Sequence, residues 1–199
     1  MKIRKRNKLV CGVGINDADY SVKSIVNGRQ VTCPHYQKWC NMLKRCYSAK
    51  YHARRPTYVV CTVCDEWLYF MAFRAWMVTQ DWNGKELEKD IINPDNKVYC
   101  PEWCVFVTPN TNTFIIDCGA SRGAWPIGVS WFKRDSKFRA YCRNPFTKKL
   151  EHLGYFTNPD QAHEAWKKRK HELALQLAEL QSDGRVKIAL QTRFVGQHQ

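Results

Sequence analysis

The chain has 199 residues, of which 44% are hydrophobic and 13% aromatic, and its formal net charge is +14. This composition excludes a disordered chain, and no apolar run approaches the roughly 18 residues of a membrane-spanning helix, so no membrane partner is expected. A basic protein of this size most often binds nucleic acid, because each neutralised phosphate releases a counterion. The charged N-terminal residues are not followed by the apolar segment that a signal peptide requires. We therefore expect no signal peptide and a cytoplasmic protein.

Charge changes sign along the chain in three blocks. Residues 1–60 contain 13 Lys and Arg against 2 Asp and Glu, residues 61–120 contain 4 against 9, and residues 121–199 contain 15 against 7. An acidic block inside a DNA-binding chain opposes that binding unless the acids hold a cation. Solvated surface charge is the alternative interpretation of the acidic block.

The first elements in chain order are a basic arm with a strand over residues 1–32 and then a helix. Pro34 precedes apolar residues at helical spacing, which predicts an amphipathic helix. A short β-rich run and a second helix follow, with Asp65 as its predicted N-cap. The apolar stripe of each helix is interpreted as hydrophobic core rather than as a surface on which bases stack. The stripes comprise Tyr36, Trp39, Met42, Leu43 and Tyr47 in the first helix and Trp67, Phe70, Phe73, Trp76 and Met77 in the second.

The segment 87–117 is predicted to contain two short strands and a helix. Residues 87–92 and 104–108 form the strands, a turn lies at NPDNK, and the helix begins after Thr108. A Gly- and Ser-bearing linker then leads to three short strands separated by turns at Asp135-Ser136 and Asn144-Pro145. A long helix follows, with an apolar side marked by Ala162, Ala165, Trp166, Leu173, Leu177 and Leu180.

Ten cysteines are many for a chain without a predicted secretory signal, so disulfides are not the expected explanation. Buried apolar thiols and zinc ligands are the two interpretations that stay open. The sequence CTVC supplies one Cys-x-x-Cys pair, Cys61 and Cys64, and a structural zinc ion would need a distant cysteine as well, such as Cys104.

The stretch LEKDIINPDNKVYCPEWCVFVTPNTN, residues 87–112, resembles the HNH (ββα-metal) motif of phage homing-type endonucleases. Pro101-Glu102 and the apolar run after it match the Pro-Glu and second strand of that motif. GVGINDADYSV, WCNMLKRCYS and PTYVVCTVCDEW upstream also resemble such nucleases, and the likeness covers about residues 11–117. It implies an α+β fold with a nuclease domain over residues 33–118 that uses Mg²⁺ or Mn²⁺ to cut double-stranded DNA.

The resemblance also implies which residues bind the metal ion. Glu88 occupies the position of the acidic ligand and Asn112 that of the final ligand, while Asn96 lies near the middle Asn. Asp90 is a further oxygen donor, and hard cations such as Mg²⁺ prefer oxygen ligands.

The general-base histidine of the motif is replaced by Lys89. Lysine is a poor base unless burial lowers its pKa. Three ways to keep activity stay open: Lys89 acts as the base, Asp90 does so, or the cation alone activates water. The fourth possibility is that catalysis has been lost. The chain would then be a DNA-binding protein on a decayed nuclease scaffold. A zinc-stabilised nucleic-acid adaptor is a third hypothesis.

Residues 128–174 resemble the DNA-binding domain of plant ethylene-response factors, relatives of which occur in phage homing-type nucleases. The matching pieces are GVSWFKRDSKFRA and HLGYFTNPDQAHEAW. The resemblance implies a domain over residues 119–183 with three antiparallel strands on one helix, whose sheet enters the major groove. Residues 184–199 are expected to be a weakly ordered tail, and the protein a phage-encoded monomer.

Strand alternation assigns faces to this sheet. In KFRAYCR, residues Phe138, Ala140 and Cys142 should pack on the helix, and the alternate residues should face DNA. A solvated basic face is the competing interpretation. The predicted DNA contacts are Arg122, Trp131, Lys133, Arg139, Arg143 and Lys148.

Overall fold

A computed structural model describes residues 9–116 and 123–195. The chain divides into two compact units, Met1–Val107 and Thr108–Gln199, and the α+β class is confirmed in both. The division lies earlier in the chain than the expected boundary after residue 118. Within the described residues, no helix combines the length and apolar character needed to cross a membrane.

The first unit begins with a β-hairpin where one strand was expected. Strands β1 (Lys23–Val26) and β2 (Arg29–Thr32) pair antiparallel. Asn27 and Gly28 connect them with positive φ angles of 51° and 72°, the left-handed conformation that such a two-residue turn requires. Residues 1–8 of the expected basic arm lie outside the described part of the chain.

Helices α1 (Pro34–Tyr47) and α2 (Ala49–His52) follow the hairpin. Pro34 occupies the first turn of α1, where its missing N–H costs no intrahelical bond. The predicted stripe is confirmed, because α1 buries Trp39, Met42, Leu43 and also Cys46.

The second predicted helix starts later than expected. Strand β3 (Thr62–Val63) leads into a 3₁₀ helix, Asp65–Leu68, and only then into α3 (Phe70–Met77). The prediction that Asp65 is the N-cap is therefore wrong: Tyr69 holds that position, with no side-chain cap. The hydrophobic core of this unit combines residues from α1, the 3₁₀ helix, α3 and the strands: Trp39, Met42, Leu43, Trp67, Phe70, Phe73, Met77, Leu87, Tyr99 and Phe106.

Three short strands complete the first unit. They are β4 (Glu86–Glu88), β5 (Val98–Tyr99) and β6 (Val105–Val107). Strand β4 pairs antiparallel with β6, and β5, which was not predicted, pairs parallel with β3. The predicted strand over residues 87–92 ends at Glu88, so the chain leaves the sheet at the residues expected to bind metal.

The second unit contains the predicted three-stranded sheet and long helix. Helix α4 (Pro109–Ile115) comes first, and Thr108 caps it by accepting a hydrogen bond from the Thr111 N–H. Strands β7 (Val129–Phe132), β8 (Lys137–Arg143) and β9 (Leu150–Phe156) form an antiparallel sheet in that order. Helix α5 (Pro159–Glu179) packs on one face, where Ala162 meets Phe138 and Ala140.

Lys170 explains why α4 belongs with this unit. Its Nζ donates to the Phe114 carbonyl oxygen (2.6 Å) at the end of α4 and lies 3.6 Å from the centre of the Phe114 ring. Burial lowers the pKa of Lys170 to about 8.

The expectation of a weakly ordered tail from residue 184 is wrong for the residues described. Helix α6 (Gly184–Arg193) begins at the N-cap Asp183, whose carboxylate accepts from the Arg185 N–H (2.8 Å). Val186 and Leu190, one turn apart, are buried. By contrast, Leu180, expected on the apolar side of α5, is 70% exposed because α5 ends at the residue before it.

Candidate functional site

Two carboxylates lie together where β4 ends. The backbone N–H groups of Lys89 and Asp90 both donate to Oε1 of Glu88, at 2.8 and 3.2 Å, so the chain wraps around that carboxylate. The side chains of Glu88 and Asp90 also share a hydrogen bond with each other. Two carboxylates can share a hydrogen bond only if one of them carries a proton.

Burial and the neighbouring Asp90 raise the pKa of Glu88 from 4.5 to about 7. Burial acts against the charged form of Asp90 too, but hydrogen bonds from Glu88 and Lys89 outweigh it and lower the pKa of Asp90. The proton of the pair therefore resides on Glu88, and Asp90 is ionised. Carboxylates with separated pKa values are typical of sites that move protons or bind cations.

The side chain of Lys89 is buried, with 4% of the residue exposed, and its Nζ bonds Asp90 Oδ2 (2.8 Å) and the Asn96 carbonyl oxygen (3.2 Å). Burial acts to lower the pKa of Lys89, but the hydrogen bond and charge of Asp90 outweigh burial and raise it. A protonated ammonium cannot accept a proton, so this contact disfavours Lys89 as the general base and favours it as a counter-charge.

Asn96 braces the loop between β4 and β5. Its side-chain amide donates to the carbonyl oxygens of Lys89 (2.7 Å) and Val98 (2.8 Å), and its oxygen accepts from the Val98 N–H (3.0 Å). Both donors are used within the loop, so Asn96 holds Lys89 in place rather than offering a free ligand to a metal ion.

Asn112 lies in α4, in the second unit, where its backbone N–H donates to the Thr108 carbonyl oxygen (2.9 Å). The expected meeting of Asn112 with Glu88 and Asp90 stays a prediction. Within residues 9–116 and 123–195, no group of three or more His, Cys, Asp and Glu side chains is placed to hold a metal ion.

The three cysteines proposed as zinc ligands, Cys61, Cys64 and Cys104, accordingly do not form such a group in the described part of the chain. Burial raises the pKa of each thiol. Raised pKa values are typical of apolar, unreactive cysteines, and zinc binding stays a prediction.

The second unit presents an open sheet face. On β8, Phe138, Ala140 and Cys142 are buried, and the alternate residues are exposed or half-buried, as the alternation predicted. The open side of this strand is formed by Lys137, Arg139, Tyr141 and Arg143.

The register between β7 and β8 corrects the prediction for Trp131. Trp131 lies directly opposite Phe138, and opposite residues of an antiparallel pair project from the same face. Trp131 is thus on the helix-packed side, where its ring meets that of Phe138 at 4.8 Å. Phe132, opposite Lys137, is the aromatic residue of β7 on the open face.

Aromatic rings surround Arg139 on this face, and the alternation in β8 predicted Tyr141 there but not Phe132. Its guanidinium lies 4.3 Å from the Phe132 ring centre and 5.4 Å from that of Tyr141. Tyr155 and His152 of β9 continue the row of rings. His152 and Tyr155 are three residues apart, so regular alternation along β9 would place only one of them on the open face. The register shift beside Tyr141 places both of them there.

The other predicted DNA contacts fall at the edges of the sheet. Lys133 begins a 3₁₀ helix after β7 and is exposed. Lys148, in the turn before β9, donates to the side chain of Asn110 and has a positive φ of 62°. Arg122 lies outside the described residues.

Comparisons of the chain with models of protein families, with curated proteins and with solved structures found no match.

Proposed function

We propose that the chain is a metal-dependent DNA endonuclease of the phage homing type, which hydrolyses phosphodiester bonds in duplex DNA as nicks or double-strand breaks. The observation that carries this proposal is the placement of Glu88 beside Asp90 at the end of β4, where the backbone N–H groups of Lys89 and Asp90 both donate to the Glu88 carboxylate. A half-buried carboxylate pair that retains one proton near neutral pH can exchange that proton for a cation. Strands β4 and β6 pair antiparallel and α4 follows β6 in the chain, an arrangement that is compatible with a ββα-metal motif.

Glu88 and Asp90 would hold Mg²⁺ or Mn²⁺, with Asn112 as the third oxygen donor. The cation would supply stabilisation of the negative charge that develops on the phosphate. Asp90 stays ionised through its contact with Lys89 and thus contributes the permanent charge of the site. Glu88, with a pKa of about 7, would lose its proton near neutral pH and could then bind the cation.

The open face of the β7–β9 sheet supports double-stranded DNA as the partner. Lys137 and Arg143 of β8 are exposed on that side, and Arg139 is half-buried on the same side. A sheet of this width can lie in a major groove about 12 Å wide. The chain's net charge of +14 adds favourable long-range attraction to phosphates.

Supercoiled plasmid incubated with the full chain tests the proposal. Relaxed or linear plasmid is expected with Mg²⁺ or Mn²⁺ and not with a chelator. Glu88→Gln should abolish cleavage while DNA binding persists, and Asp95→Asn, in the exposed turn of the same loop, is the matched control. Plasmid that stays supercoiled under every divalent metal would count against the enzyme.

One contact favours a second candidate, a DNA-binding protein without catalysis. The buried ammonium of Lys89 already neutralises Asp90 at 2.8 Å, so the site needs no cation to balance its charge. This candidate predicts salt-sensitive DNA binding that is unchanged by Glu88→Gln and Asn112→Ala, and no cleavage in any metal.

A further inference from the structure

We propose that the open face of the β7–β9 sheet binds unpaired bases, so that the DNA it prefers contains a bubble, a bulge or a single-stranded stretch. Tyr155 and His152 of β9 would stack on the bases, and Arg139 and Arg143 of β8 would hold the flanking phosphates. This inference rests on the proposed DNA-binding function and names the form of DNA that this face takes.

The rings form one continuous row across the open face. The Phe132 and Tyr155 ring centres are 5.6 Å apart, those of Tyr155 and His152 4.7 Å, and those of His152 and Tyr141 5.2 Å. Arg139 lies over the two outer rings, at 4.3 Å from Phe132 and 5.4 Å from Tyr141. The central pair, Tyr155 and His152, is exposed to solvent and braced by a ring on each side.

The charge on this face complements a nucleic-acid backbone. Among the residues of the three strands, all of which the structure describes, Glu151 is the sole carboxylate. Glu151 lies opposite Cys142, on the helix-packed side, where it bonds Arg169 of α5 at 2.7 Å. The open side therefore combines exposed rings with cations and carries no carboxylate from the strands.

Ring faces are matched to unpaired rather than paired bases. In a duplex the bases stack on one another, and a groove presents only their edges, which hydrogen-bonding side chains read. An unpaired base offers its whole π-face, and stacking on an aromatic side chain is among the main sources of affinity for single strands. Four contiguous rings contribute more to binding unpaired bases than to reading a groove.

Fluorescence anisotropy of the full chain in chelator, at one salt concentration, compares three labelled DNAs of one sequence: a duplex, a duplex with a central four-nucleotide bubble, and a single strand. We expect the bubble to bind at least tenfold more tightly than the duplex. Tyr155→Leu should reduce bubble affinity about tenfold, as loss of one stacked base would, and leave duplex affinity unchanged.

Trp131→Leu is the matched control. Trp131 is 43% exposed and Tyr155 45%, but Trp131 lies on the opposite face of the sheet. It should leave the affinities for both DNAs unchanged. His152→Leu repeats the test on the neighbouring ring and is expected to match Tyr155→Leu, and melting curves of each variant verify folding.

Equal affinity for bubble and duplex would overturn the inference, as would equal losses in Tyr155→Leu and Trp131→Leu. Metal-dependent cleavage of a duplex without any bubble preference would overturn it while leaving the proposed function intact. Bubble preference without cleavage would support the inference and contradict the enzyme. A chain that binds none of the three DNAs would overturn both.

Discussion

The two units use charged side chains in opposite ways. The first unit holds a buried ammonium and two half-buried carboxylates at the end of a short strand, where their contacts with one another set their protonation. The second unit exposes cations on an open sheet and places Arg139 against aromatic rings. Buried charges are sensitive to single contacts, whereas exposed ones act through their number and spacing. The first arrangement suits chemistry on a few atoms and the second suits binding of a long polyanion.

The largest expected effect is the pH dependence of the first unit. Glu88 has a pKa raised to about 7 and must lose its proton for a cation to bind. Cleavage with Mg²⁺ should therefore fall about tenfold per pH unit below 7, and about a hundredfold by pH 5. Initial rates of plasmid cleavage between pH 5 and 8, at constant ionic strength, measure this. A rate that is unchanged between pH 5 and 7 would contradict it.

Stability should change with pH in the opposite direction. The folded chain holds the Glu88 proton at higher pH than the unfolded chain, whose ordinary value is 4.5. The stabilising contribution of that proton is present below about pH 4.5 and is lost as pH rises to about 7. Thermal melting of wild type and of Glu88→Gln across this window should converge at low pH and separate at high pH, with Glu88→Gln more stable above pH 7.

The next largest effect is the loss of stability expected when Asp90, the ion-pair partner of Lys89, is replaced. Asp90→Asn leaves a buried ammonium beside a neutral amide, and removal of one partner of a buried ion pair costs 3–5 kcal/mol when both are enclosed. Asp90 has a side chain 39% exposed, so we expect about 2 kcal/mol. Urea denaturation measures the loss, and the double variant Lys89→Met/Asp90→Asn should recover most of it. No recovery in the double variant would mean that the ion pair is not the cause.

A smaller effect is expected from one cation of the second unit. Arg139→Gln should weaken DNA binding by about 1–3 kcal/mol, or roughly 5- to 150-fold. Lys187→Gln, on α6, removes the same charge from a residue paired with Glu179 and serves as the control. Titrations at several salt concentrations measure both. If the two variants lost the same amount of DNA affinity, the net charge of the chain and not the sheet face would account for binding.

Local periodicity was sufficient to predict most of the elements. The stripe of α1, the three strands of the second unit and the helix α5 all follow from spacing that repeats within a few residues. The helix α6 was missed because its sequence, GRVKIALQTR, is polar over most of its surface. Asp183 as an N-cap and the four-residue spacing of Val186 and Leu190 were the signals available.

The candidate site depended on facts that no local pattern contains. Trp131 was assigned to the wrong face because strand register, which places it opposite Phe138, is set by pairing between strands. The residues Glu88, Lys89 and Asp90 were identified from the resemblance, but their protonation depends on burial by distant segments. Burial depends on the tertiary structure. The sequence therefore shows that Lys89 replaces the histidine of the motif, but it does not show that the Lys89 ammonium keeps its proton.

The smallest expected effect concerns the end of the second unit. Asp183→Ala removes the carboxylate that accepts from the Arg185 N–H (2.8 Å), and loss of an N-cap costs about 1 kcal/mol. Ser182→Ala, an exposed neighbour outside the cap, is the control. Thermal unfolding should show a lower melting temperature for Asp183→Ala alone, because α6 buries Val186 and Leu190 as part of the unit's fold. Identical melting of both variants and wild type would mean that α6 unfolds independently, and the second unit would then depend on its sheet and α5 for stability.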